Sequence, residues 1–192
     1  METLRKNVLV IENVKEEYED VRSCLPEHFN PDYREKIDEN AINALGRSDY
    51  DLCICDLMDT ETIPNGLKLD SPEVFEIFYE GIKRIAKLRK HLGCNLIIIT
   101  KTPVRYLRDH FNKLQNDSDV KTIFADDSMN LYRKLDAKKT LFFGEVYEGE
   151  SVHIFIKPYY SSSETDENRE HRREDAILWK ERFSELIGKL SS

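Results

Sequence analysis

Long hydrophobic runs, basic clusters and the common metal- and phosphate-binding signatures are all missing from this chain of 192 residues. The first apolar run is only Val8-Leu9-Val10-Ile11, behind a polar start from Met1 to Asn7. It falls far short of the roughly 20 apolar residues of a membrane helix and of the apolar centre of a signal peptide. A soluble, cytoplasmic protein with no membrane partner is therefore expected. Lys and Arg number 29 against 37 Asp and Glu, for a net charge of -8. Without a basic footprint, nucleic-acid binding is not expected. Four cysteines occur, with no Cys-x-x-Cys and no His-rich segment to complete a zinc site. Cys53 and Cys55 alternate along one strand and share a face, so buried reduced thiols are the simplest reading. The five histidines, His28, His91, His110, His153 and His171, stand apart from one another. There is no glycine-rich phosphate loop, no nucleophile elbow and no His-Glu-x-x-His, which disfavours kinase, hydrolase and metalloprotease classes.

What the chain does contain is enough apolar residue for a core, 40%, under a heavily charged surface, 34%. One domain over residues 1–192 is the prior for this length. Val8 to Ile11 is a continuous β-rich run, as in strands buried on both faces. Val14, Tyr18, Val21 and Leu25 then recur at helical spacing until Pro26. A short second strand is expected within Phe29 to Asp38, and a helix over Asn40 to Arg47. Asp51 to Asp56 reads as a third strand, apolar until Asp56. After a polar loop turning at Pro64-Asn65-Gly66, Ser71-Pro72 opens a long helix that runs to Leu92-Gly93. Asn95 to Ile99 is the strongest strand, ending at Thr100, and Thr102-Pro103 opens a further helix through Leu114.

The alternation of strands and helices predicts a doubly wound parallel sheet. Ligands of such sheets sit beyond the carboxyl ends of the strands, where Glu12, Asn13, Asp56 and Thr100 all fall. Further on, Leu141 to Val146 and Val152 to Ile156 flank a hairpin turn at Tyr147-Glu148-Gly149-Glu150. Residues 161–168 read as a mobile loop, and 169–190 as a C-terminal helix carrying Trp179 and Phe183.

Val8 to Asn13, Asn40 to Leu45 with Tyr50 to Met58, Asn65-Gly66-Leu67 and Leu96 to Thr100 resemble, in order and spacing, the receiver domain of response regulators. The likeness spans about the first 115 residues. It implies a five-stranded parallel sheet of receiver (flavodoxin-like) type and phosphoryl transfer from a histidine kinase or phosphotransfer protein to Asp56. It also implies Mg²⁺ held by Glu12, Asn13, Asp56 and the backbone carbonyl of Met58, with Thr100 as a switch hydroxyl and a lysine on the phosphoryl group. A carboxylate is ionised at neutral pH, so Asp56 needs no base.

Three departures qualify the resemblance. Asn13 stands where the family carries a second acid. The loop after Asp56 is long and holds Asp59, Glu61 and Asp70, any of which is a candidate substitute. The expected Lys-Pro has its form at Lys157-Pro158, which requires an α/β insertion over 120–150. The alternative takes Val120 to Ala125 as the last strand, with no lysine. Either a phosphorylated receiver or a pseudo-receiver that binds a regulatory protein without phosphorylation is consistent with this pattern. A metal-dependent hydrolase using Asp56 and the acidic loop is a third class. Tyr159-Tyr160 reads as core-edge packing or as a partner surface.

Overall fold

Runs of Val, Ile, Leu and Cys with no polar alternation need cover on both faces, and the computed structural model provides it. The structure describes residues 5–47, 49–57, 68, 71–100, 146–148, 152–157 and 166–191, with the backbone only for 146–148, 166–176 and 191. In chain order these form β1 (Lys6–Ile11), α1 (Lys15–Ser23), β2 (Phe29–Arg34), α2 (Glu39–Ala44), β3 (Leu52–Asp56), α3 (Pro72–Leu92), β4 (Asn95–Thr100), β5 (Val146–Glu148), β6 (Val152–Ile156) and α4 (Asp166–Ser191). The sheet order is β2-β1-β3-β4-β6-β5. Five strands are parallel, and β5 adds a sixth, antiparallel to β6 at the edge.

The protein is thus an α/β fold around a five-stranded parallel sheet, an order compatible with flavodoxin-like architecture. Both edges of β4 are occupied, by β3 and by β6. The parallel strand beside β4 on that side is therefore the one that leads to Lys157, while Val120 to Ala125 lie outside the described residues. Tyr147 and Glu148, expected in the turn, instead pair with Ile154 and His153 as part of β5. The helix expected from 169 already includes 166–168, expected as loop. The helix expected from Thr102, the insertion apart from β5, the loop acids Asp59, Glu61 and Asp70, and Met58, Tyr159 and Tyr160 lie outside the described residues.

Strand alternation divides the core. Leu9, Ile11, Cys53, Cys55, Leu96, Ile98, Ile154 and Ile156 meet Ile42 of α2 and the Phe78, Ile82, Ile85 and Leu88 stripe of α3. Val8, Val10, Leu52, Ile54, Ile97, Ile99 and Phe155 meet Tyr18 and Val21 of α1 and Trp179, Phe183, Leu186 and Ile187 of α4. Helix α3 is bounded as its sequence requires. Ser71 accepts the Val74 N–H at 3.3 Å, Pro72 occupies the first turn, and Gly93 ends the helix at φ 69°. Helix α4 is tied to α1 by Lys180 Nζ on Asp20 at 2.5 Å. Among the described residues no helix is long and apolar enough to cross a membrane.

Candidate functional site

The order of the parallel strands reverses between β1 and β3, since β2 lies on one side of that pair and β4 on the other. A crevice forms outside the carboxyl ends at such a point because the following connections leave in opposite directions. Glu12 directly follows β1, and its N–H extends the ladder to the Arg34 carbonyl at 3.1 Å. Asp56 ends β3, level with Ile99 of β4. Lys157 directly follows β6, its N–H bonded to the Thr100 carbonyl at 2.8 Å. The backbone ladders thus fix the starting point of each functional side chain before any side-chain contact is made.

Alternation assigns their directions. Glu12 follows Val8 and Val10, Asp56 follows Leu52 and Ile54, and Lys157 follows Phe155, all on the face covered by α1 and α4. Thr100 follows Leu96 and Ile98 and so belongs to the opposite face, although it is the neighbouring strand end and is buried. Glu12, Asp56 and Lys157 are therefore brought together, while Thr100 borders them from across the sheet. Asn13 is half-buried beside Glu12.

Glu12 is pinned at both oxygens. Its Oε1 accepts the Val14 N–H at 3.2 Å, at the start of α1, and its Oε2 accepts from Lys157 Nζ at 3.1 Å. Val14, the cap of α1, offers no side-chain acceptor of its own. The ammonium also donates to Glu17 of the first turn of α1. Lys157 and Glu12 are almost fully buried, with side-chain exposures of 4% and 3%, whereas Glu17 is at 19%. Across the sheet end, Arg84 of α3 donates from Nη2 to the Asp56 carbonyl at 3.2 Å. One turn earlier on the same helix, Gly81 lies against the chain just after β3: a Cβ there would lie 2.0 Å from the Leu57 carbonyl oxygen.

Two carboxylates, Glu12 and Glu17, thus hold one ammonium, and Asp56 acts on it through its charge. Burial pushes the Asp56 carboxyl well above its ordinary range, and the Glu12 charge adds to that, while Lys157 offsets part. Burial raises Glu12 likewise, against the pull of Lys157. For Lys157 burial acts downward, but Glu12, Glu17 and Asp56 together outweigh it and hold the ammonium charged above its usual value. Among the described residues no hydrogen bond reaches the Asp56 carboxylate.

The oxygen donors of Glu12, Asp56 and Asn13 are of the hard type that Mg²⁺ takes. The described residues contain no group of three or more His, Cys, Asp or Glu arranged around an ion, and the Met58 carbonyl lies outside them. A cleft of about 620 Å³ opens between α2 and α3, lined by Ile37, Ile42, Ile77 and Gly81 under a rim of both charges. None of the strand-end acids lines it.

Glu17 and Arg84 were not singled out from the sequence. Glu17 lies one turn before the buried Val21, and Arg84 shares a stripe with Gly81 and Leu88. A charged residue on a buried stripe was the available signal in both cases. No protein-family model matches the chain, and no curated protein matches it significantly.

Proposed function

We propose that this chain is a receiver-like signalling domain that accepts a phosphoryl group on Asp56 and thereby switches a protein–protein contact. The observation that carries the reading is the placement of Asp56. It ends β3 at the topological switch point, within electrostatic reach of the Glu12–Lys157 pair. In the transfer the ionised form of Asp56, which burial disfavours and the Lys157 charge favours, attacks phosphorus through one oxygen, the P–N bond of a phosphohistidine donor breaks, and the imidazole leaves and is protonated by solvent. The product is a mixed anhydride on Asp56. Lys157 holds one phosphoryl oxygen as a point charge, and Thr100 turns from its resting face to donate to another. Glu12, Asp56 and Asn13, with the Met58 carbonyl, would hold a Mg²⁺ ion, which supplies charge neutralisation between Asp56 and the incoming anion.

Acetyl phosphate with Mg²⁺, followed by intact mass, tests the assignment. One phosphoryl adduct is expected on the wild type and none on Asp56→Asn. No adduct on the wild type, or an adduct that survives Asp56→Asn, rejects it.

A second reading has its own support. Lys157 already fills the space between Glu12 and Glu17, as in a pseudo-receiver whose output is constitutive binding of a regulatory protein. That reading expects Asp56→Asn to leave partner binding intact and Mg²⁺ to leave Trp179 fluorescence unchanged.

A further inference from the structure

The ammonium of Lys157 has three protons to donate, and two carboxylates share them: Glu12, from the strand-end set, and Glu17, from a helix. Glu17 stands in the first turn of α1, fixed there by its N–H on the Val14 carbonyl at 3.1 Å. It contributes a second carboxylate to a pocket where position 13 carries an amide. We propose that Glu17 is a positioning residue for Lys157: it holds the ammonium at the β1–α1 corner until a phosphoryl group on Asp56 draws it away. This rests on the reading of Asp56 as phosphoacceptor.

The unequal burial of the two carboxylates gives the exchange its direction. Stripping a buried carboxylate of its cation is strongly unfavourable, and Glu12 at 3% exposure is in that position. Glu17 at 19% exposure can take up water when the lysine leaves. A phosphoryl group brings about -1.5 to -2 charges, more than a single carboxylate. The flexible four-carbon stem of Lys157 can then keep Glu12 while exchanging Glu17 for phosphoryl oxygen. Glu17 thus stabilises the unphosphorylated state specifically, through Lys157. Glu16, exposed in the same turn, serves as the charge control.

The test compares wild type, Glu17→Gln, Glu17→Asp, Glu16→Gln, Lys157→Gln and the Glu17→Gln/Lys157→Gln pair. Steady-state occupancy of Asp56 is read by intact mass after acetyl phosphate and Mg²⁺. Glu17→Gln should raise occupancy about threefold or more, the size expected for loss of a partly screened ion pair. Glu17→Asp should return it towards wild type, Glu16→Gln should do nothing, and Glu17→Gln should have no effect once Lys157 is Gln. An equal rise with and without Lys157 overturns the proposal, because Glu17 would then act as background charge. A second readout needs neither phosphate nor metal. The ¹⁵N–¹H signal of the Lys157 ammonium, protected in wild type, should shift strongly or vanish in Glu17→Gln and stay put in Glu16→Gln. A Glu17→Gln signal identical to wild type overturns the proposal even if Lys157→Gln does not fold. If the signal behaves as expected but no variant forms an adduct, the phosphoacceptor reading fails. The positioning role then falls with it, and only a tie between α1 and the end of β6 remains.

Discussion

Asp56 is stabilised least where it is most charged. Burial holds its carboxyl above the unfolded value, so the folded chain binds more protons than the unfolded one, and stability falls as pH rises from about 4 through the folded value. Replacement by the neutral isostere removes that loss. Asp56→Asn should melt about 2–4 °C above wild type at pH 7.5, the shift roughly 1 kcal/mol produces in a chain of this length. The gap should close as the pH approaches 4, and equal melting temperatures at pH 7.5 would contradict the assignment. Lys157 behaves in the opposite way. Its folded pKa is raised, so its contribution is complete below its ordinary value and lost only as the pH climbs past it. Lys157→Ala leaves Glu12 buried without its cation and should cost about 3–5 kcal/mol in urea unfolding at pH 7. The loss should shrink in acid, where Glu12 takes a proton. The thiols give a third check. Burial pushes Cys55 up to about 12 and Cys94 to about 11, and Cys24, Cys53 and Cys55 are buried. A disulfide reagent should therefore titrate Cys94 slowly in the native protein and the other three only after unfolding.

At the scale of elements, the approach of α3 to β3 sets the depth of the site. An alanine at position 81 favours helix by up to about 1 kcal/mol. The added methyl would nevertheless meet the Leu57 carbonyl at 2.0 Å, a backbone atom that cannot move aside alone. Overpacking should win, so Gly81→Ala is expected to destabilise by about 1–3 kcal/mol in chemical denaturation. A gain in stability would mean that the helix can back away from the sheet. The long helix was legible from its capping serine, its first-turn proline and its apolar stripe, because each of those signals is local. The hairpin was legible only in kind. Tyr147 and Glu148 look like turn residues, yet pairing with His153 and Ile154 extends the strand through them. Residues 166–168 are polar enough to read as loop, and they are helical as the first residues of α4.

For the whole molecule, both helical layers pack on one sheet, so neither core is independent of the other. Trp179 packs near Phe155, with ring centroids 6.1 Å apart, only two residues before Lys157. Urea unfolding followed by Trp179 fluorescence and by far-ultraviolet dichroism should therefore trace one superimposable transition. Separate midpoints would divide the cores.

Which segments become buried strands was readable from composition alone, because runs such as Leu96 to Ile99 have no other way to remove their surface from water. Composition also marked Glu12, Asp56 and Lys157 at the strand ends, since polarity begins where burial stops. The assembled sheet is what sets β6, and with it Lys157, beside β4 after a long separation in the chain. It alone put Thr100 on the face opposite Asp56 and brought Glu17 and Arg84 to the site. Those outcomes depend on strand order and on how closely a helix approaches the sheet, and neither is encoded in local spacing.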